Sequence, residues 1–436
     1  MRRRFYTGRG LALALAALAG VGCTDRIPTA GGAELFPGGA RPRTLEVTLP
    51  AESFLQTLGR FSGFSGPREA GFLLVANRFE GALEANTLGR LTAFPATINY
   101  SQGGTSRSDS VFGFVQAQLF AAVDTAASAG TGQVTLQLWE VGQEWDPATA
   151  TWQLAVDTTG GRVAWRTPGG TRGAALSQLV LPQGVRSAGD TVRFALDSLA
   201  FRRIIRTDFP GFLVTANGTP VRLQTRSFAL RASVRPRSAS PDTTITVSVS
   251  PAVQTFVFTP EPPRAESAWE AGGIRAARTL FRIDLRNVRV PVCEPGGTAC
   301  PTVPLREVTL NQAALLLRPT PPPGGFRPIG PMPILVRRVL EPELGRRAPL
   351  SDVVNDVELN TENQAFSYRA GTFVPTDSVY TVPLTAYLSG VAASDTAVAN
   401  LALLGQPEGA SFGVAWFAPN PRLRIVYTVP ARPSLP

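Results

Sequence analysis

The chain has 436 residues, 44% of them hydrophobic, with 42 Gly, 38 Pro and a formal net charge of +10. It is too long for one ordinary domain, so two or three are expected, and apolar enough to fill their cores. His and Lys are both absent, which excludes Ser-His and Cys-His nucleophiles, Ser-Lys pairs and Schiff-base chemistry.

The N-terminus reads as a targeting segment. Arg2, Arg3, Arg4 and Arg9 precede an apolar run, Leu11 to Val21, which is too short to stay in a bilayer as a spanning helix. Gly22 and Cys23 follow it, a small residue directly before a cysteine, as in a bacterial lipobox. Residues 1–22 are thus expected to be a signal peptide, with Cys23 as the lipid acceptor. Thr24 rather than Asp after the cysteine favours sorting to the outer membrane. Removal of the signal lowers the net charge from +10 to +6. Residues 23–43, Gly- and Pro-rich, read as a lipidated cysteine and flexible tether that lifts the first domain off the membrane.

From Thr44 onward, Val-, Leu-, Phe- and Thr-rich runs alternate with Gly and Pro turn signals, the pattern of an all-β protein. In Val134–Leu138, Val134, Leu136 and Leu138 fall on one face and Thr135 and Gln137 on the other. Trp139 continues the polar face. An acidic, Thr-rich loop then runs to Trp152. A first β-sandwich is expected over 44–235, a linker over 236–244, a second sandwich over 245–430 and a tail over 431–436. In the second region Phe281, Ile283 and Leu285 alternate with Arg282, Asp284 and Arg286. Leu423, Ile425 and Tyr427 alternate with Arg422, Arg424 and Val426. Single apolar faces need a covering sheet, so each region is expected to be a jelly-roll-like antiparallel sandwich. Cys293 and Cys300, in VCEPGGTAC, are the two cysteines left after Cys23 and read as a local disulfide. Closing that loop would stabilise the fold by about 2.5 kcal/mol on the chain-entropy model.

The two regions read as divergent copies. LEVTLPAESFLQT is answered by ITVSVSPAVQTFVFT, NTLGRLTAF by ARTLFRIDL, and VQAQLFAAV by LNQAALLLR. DTVRFALDSLAFRRI then matches DSVYTVPLTAYLSGV, GFLVTANGTP matches LALLGQPEGA, and SFALRASVRP matches NPRLRIVYTVP. The second copy carries a Pro-rich insertion around Pro319–Pro333.

These blocks resemble the DNRLRE family, whose members include carbohydrate-binding modules. The residues concerned are TLFRIDL (Thr279–Leu285), AALLL (Ala313–Leu317), WDPATATW (Trp145–Trp152), VRFALDSL (Val192–Leu199), GFLVTAN (Gly211–Asn217) and PRLRIVY (Pro421–Tyr427). The first region lacks the closing Tyr and the second lacks the Trp-ended loop. The resemblance implies β-sandwich modules that bind a glycan.

Candidate ligand-binding residues are Trp139, Glu140, Trp145, Asp146 and Trp152. Sugars stack on indole rings, and nearby carboxylates accept bonds from their hydroxyls. The competing reading makes these tryptophans architectural, closing one end of the sandwich. Asp352, Asp356 and Glu358, in DVVNDVEL, are the nearest thing to an acidic cluster, read as a solvated loop with calcium binding as the alternative. No catalytic residue, metal site or cofactor is expected, since no nucleotide loop, EF-hand or paired-carboxylate motif occurs. No Arg run interleaves with aromatics, so nucleic acid is not an expected partner. The expected function is a non-catalytic lipoprotein of the cell envelope, attached to the membrane by its lipid, that binds carbohydrate or another surface polymer. The alternative is a structural or adhesive lipoprotein that contacts other envelope proteins.

Overall fold

A computed structural model describes residues 42–261, 267–293, 300–322, 324–360, 365–368, 372–374, 376 and 378–430. The expected signal peptide, Cys23, the expected tether up to residue 41 and the tail lie outside them.

The fold is all-β and built from two sandwiches. In the first, one sheet has the order Pro251–Phe258, Leu83–Leu91, Phe212–Gly218, Val134–Val141, Arg172–Leu181, with Leu73–Phe79 and Val221–Thr225 extending it from Leu83–Leu91. The facing sheet runs Ile245–Val249, Ala229–Pro236, Phe112–Ala122, Thr191–Leu196. In the second sandwich the corresponding sheets run Leu55–Phe61, Arg278–Asp284, Val398–Gly405, Met332–Val339, Leu350–Val353, and Arg43–Leu49, Arg422–Val429, Thr309–Leu317, Tyr380–Pro383. The orders agree over five strands of the large sheet and four of the facing one, while Leu73–Phe79 and Val221–Thr225 have no counterpart in the second large sheet. Matched sequence blocks occupy equivalent places in the two sandwiches.

The expected boundary at 236–244 does not separate the sandwiches. Arg43–Leu49 pairs with Arg422–Val429 at the far end of the chain, and Leu55–Phe61 pairs with Arg278–Asp284. Reciprocally, Ile245–Val249 pairs with Ala229–Pro236 and Pro251–Phe258 with Leu83–Leu91. The opening strand pair of each copy therefore completes the other copy's sandwich. The first sandwich is contiguous, from Leu73 to Phe258, and lies between two parts of the second. Strand periodicity could not reveal this, because a period of two says which face is buried and nothing about the partner.

Burial follows the alternation of the strands. Leu423, Ile425 and Tyr427 are buried with Phe281, Ile283 and Leu285 in the second core, and Val134, Leu136 and Leu138 in the first. The strand that enters VRFALDSL, Thr191–Leu196, stops at Leu196. Asp197 then caps a short helix, Ser198–Ile204, its carboxylate accepting from Ala200 N–H at 2.7 Å, a contact worth ~1 kcal/mol. The equivalent place in the second sandwich also holds a helix, Thr385–Ala393. The Cys293–Cys300 disulfide is present, with Cα atoms 5.7 Å apart.

The Pro-rich insertion of the second copy reaches across to the first. Phe326 from the insertion and Phe412 join the first core, their rings 5.4 Å apart, and Phe258 meets Phe412 edge-on at 5.3 Å. Arg222, from the first sandwich and only 2% exposed, donates to Arg327 O at 2.8 Å and Gly325 O at 3.3 Å. Its guanidinium lies 5.0 Å from the Phe412 ring. Glu80 accepts from Gly325 N–H and pairs with Arg327.

The strand exchange predicts how fragments behave. A fragment spanning 68–261 is expected to unfold cooperatively on heating. One spanning 44–235 lacks two strands of its own sandwich and carries two of the other, so it is expected to show no cooperative transition. Differential scanning calorimetry of both checks this, and the reverse outcome would refute the exchanged pairing.

Candidate functional site

The loop after Val134–Val141 folds back over the outer face of the first sandwich. Val141, Leu88, Leu213 and Val257 point outward there and would be exposed apolar surface without a cover. Trp145 and Trp165 supply that cover, packed against them and Ala155. Trp145 is 2% exposed. Its Nε1–H donates to Pro210 O at 3.1 Å, and Arg90 lies 5.0 Å from the ring while donating to Trp145 O at 2.8 Å. Trp165 Nε1–H donates to Thr151 O at 2.9 Å. A buried indole must find an acceptor, and both have one.

The other candidates sort by what their side chains already contact. Asp146 holds the loop's first turn, accepting from Ala148 N–H at 3.1 Å and Thr149 Oγ1–H at 2.7 Å. The Thr149 hydroxyl, with the Ala148 N–H, keeps the Asp146 carboxyl below its ordinary value. Glu140 faces Arg203 of the Ser198–Ile204 helix at 3.4 Å. Trp139 is half-buried, donates to Thr215 Oγ1 at 3.3 Å and lies under Arg172 at 5.5 Å. Trp139, Trp145 and Trp152 therefore do not form a shared exposed platform.

Trp152 differs. It is half-buried against Gly169, whose φ of +82° suits glycine and where a Cβ would come within 2.6 Å of the ring. It also lines a cleft of about 520 Å³ between the two sandwiches, within the size range of small-ligand sites. The cleft brings Trp152 together with Gly63, Ser65, Phe258, Arg275 and Arg346. These come from the crossing after Leu55–Phe61, from the exchanged strand Pro251–Phe258 and from two segments of the second sandwich.

The crossing after Leu55–Phe61 is tied to the second sandwich. Arg275 O accepts from Gly63 N–H at 2.7 Å and Phe64 N–H at 3.2 Å, and Arg346 donates to Gly63 O at 2.8 Å. Phe64 is flanked by Arg278, 3.6 Å from its ring centroid, and by Arg346 at 5.5 Å. Arg278 is neutralised by a bidentate pair with Glu408, both contacts 2.6 Å. Arg275 is exposed, and its guanidinium makes no hydrogen bond or ion pair among the described residues. An aromatic wall beside an uncommitted guanidinium suits a ligand with an apolar face and acceptor oxygens. A second groove, about 590 Å³, lies on the second sandwich beside Pro50, Arg318 and Arg422, with no aromatic ring among its described lining.

Arg275, Arg346 and Phe258 carried no sequence signal, because their neighbourhood exists only once the strand pairs are exchanged. Asp356, from the acidic stretch, accepts from Thr385 N–H and Ala386 N–H, both at 3.0 Å, and so caps the Thr385–Ala393 helix. Glu358's side chain lies outside the described residues. No group of three or more His, Cys, Asp or Glu placed to hold a metal occurs among the described residues.

No protein-family model matches the chain, and no curated protein matches it. Among solved structures, the infectious bursal disease virus VP2 subviral particle aligns over 88% of this chain and 72% of its own, at 8% identity and a TM-score of 0.14. A likeness that weak carries no argument about fold or function.

The packing predicts opposite outcomes for two neighbouring tryptophans. Trp145→Ala is expected to cost roughly 3–5 kcal/mol of stability, as for other buried aromatic truncations. Trp139→Ala, at a half-buried site, should cost well under half of that. Urea unfolding of both variants checks the order, and equal losses would contradict the covering role of Trp145.

Proposed function

We propose that this chain is an exported, non-catalytic lipoprotein of the cell envelope, anchored through Cys23, that binds carbohydrate or another surface polymer in the cleft between its sandwiches. The observation that carries the reading is the meeting of half-buried Trp152 with the uncommitted Arg275 in one cleft. Indole faces accept the C–H faces of pyranose rings, and guanidinium N–H groups donate to ring hydroxyls or acidic substituents. Because Gly63 is bonded to both Arg275 and Arg346, little ordering of that wall should accompany binding. The resemblance to DNRLRE-type modules supports the same class of ligand. Export and lipidation rest on the N-terminal pattern, Arg2 to Cys23.

The strand exchange alters how such an anchor would present the molecule. The tether enters at Arg43–Leu49, a strand of the second sandwich. In this proposal the second sandwich lies next to the membrane and the first stands beyond it.

A specific observation also favours a second reading, a structural or adhesive envelope protein. Trp145 and Trp165 are held inside the fold, so most of the Trp-rich loop serves architecture.

Binding of the mature protein to envelope and extracellular polysaccharides separates the two. Trp152→Ala and Arg275→Ala are each expected to weaken binding about tenfold, equivalent to ~1.4 kcal/mol, while Trp139→Ala leaves it unchanged. Loss on Trp139→Ala alone would move the site out of the cleft, and binding to no polysaccharide would favour the second reading. Cys23→Ser should release the protein from the membrane fraction, and retention there would refute the lipid anchor.

A further inference from the structure

The outer face of the first sandwich's four-stranded sheet carries a polar patch that shares no lining residue with the Trp152 cleft. Strand pairing sets its side chains in rows. Ser248, Arg231, Gln118 and Ala195 lie side by side across all four strands, and Thr246, Ser233 and Gln116 form the next row. Leu119 and Leu230, one position along their strands, point into the core, so these rows point away from it. Phe120 stands in the row beyond, between Ala229 and Arg193.

A depression of about 280 Å³ opens in this face. Gln116, Gln118, Arg231 and Ser233 line it with Ala195, Phe114 and Val115, and its described lining holds no carboxylate. Ala195 ends its row with a methyl group alone. The polar groups are largely unspent. Neither glutamine amide makes a hydrogen bond among the described residues. The Arg231 guanidinium makes none either, and lies over the Phe120 ring at 4.9 Å. Ser233 and Thr246 meet only each other, at 3.4 Å.

The second sandwich supplies a comparison within the same chain. Its equivalent rows are Thr48, Arg424, Ala314, Pro383 and Glu46, Val426, Gln312. Core-facing residues stay apolar in both copies, as Leu119 and Leu230 do against Leu315 and Leu423. On the outer face Ala314 stands where Gln118 does, Val426 where Ser233 does and Glu46 where Thr246 does. The carboxylate-free set of amides and hydroxyls therefore belongs to the first sandwich alone, and the fold does not require it.

We propose that this face is a second glycan-binding surface, which takes a neutral polysaccharide chain lying across the strands. The inference rests on the reading of the chain as a carbohydrate binder. Amides and hydroxyls both donate and accept, as sugar hydroxyls do. Neighbouring strands lie about 4.8 Å apart, close to the length of one sugar unit, so successive sugars crossing a row meet successive side chains. The depression's one guanidinium already covers a ring, and recognition falls to the neutral groups beside it. Its open form suits the middle of a polymer, which must continue past both ends of the site.

Affinity electrophoresis of the mature protein in gels holding hydroxyethyl cellulose, xylan, galactomannan or mixed-linkage glucan tests this. At least one polymer should retard the wild type, at high as well as low ionic strength. The double variant Gln116→Ala, Gln118→Ala removes outward side chains without hydrogen bonds and should keep the wild-type melting temperature. It is expected to bind roughly tenfold more weakly. Gln312→Ala, in the equivalent row of the second sandwich, should bind as wild type. Trp152→Ala, run alongside, separates the two sites. A glutamine variant that binds as wild type overturns the second surface, and weakening by Trp152→Ala in the same gels would leave the cleft reading standing. Retardation abolished by salt overturns the neutral-glycan assignment. Retardation by none of the polymers overturns the second surface as well.

Discussion

The molecule depends on one constraint, the closing of sheet edges across the two halves of the chain. A strand edge with unpaired N–H and C=O groups is both unstable and prone to pair with other molecules. Here the Arg422–Val429 strand finds its outer neighbour in Arg43–Leu49, and Ala229–Pro236 finds it in Ile245–Val249. Each sandwich is thereby finished by a strand pair that, by sequence likeness, belongs to the other copy. The arrangement has the logic of domain swapping carried out within one chain. It obliges the chain to cross between sandwiches twice, and the crossings bring Gly63, Ser65 and Phe258 to the cleft.

The crossings alone would leave a hinge. The Pro-rich insertion of the second copy turns the junction into a packed seam, with Phe326 and Phe412 entering the first core beside Phe256 and Phe258. Arg222 secures this apolar contact through carbonyl acceptors and a ring face. Buried charge specifies geometry more readily than it adds stability, and one guanidinium that fits only the Gly325–Arg327 turn fixes how the sandwiches meet. A cleft whose two walls are locked in this way is preformed, the condition under which a modest aromatic and guanidinium surface can hold a polymer segment.

The Trp-rich loop illustrates how one residue type divides its roles. The outer face of the first sandwich's large sheet is apolar at Leu88, Val141, Leu213 and Val257, so something must cover it. Trp145 and Trp165 do this, and Asp146 shapes the turn that lets them. Trp152, at the loop's far end, is carried to the cleft and keeps part of its surface free. The sandwich is a scaffold that hosts many functions.

Residue pattern alone determined the local facts. Alternation at Val134–Leu138, Thr279–Leu285 and Pro421–Tyr427 fixed which side chains face a core, because successive strand residues point to opposite faces. The likeness of the blocks gave the repeated architecture, and the spacing of Cys293 and Cys300 gave their bridge. The pattern also named Trp152, though not its surroundings. Tertiary structure decided the rest: which strand closes which sheet, that Trp145 is covered and Trp152 is not, that Asp356 caps a helix, and that Arg275 and Arg346 share a cleft with Trp152. Those outcomes depend on contacts between residues from 29 to 384 positions apart. Local periodicity carries no information about such partners, since pairing register and packing are settled only when whole faces are buried together.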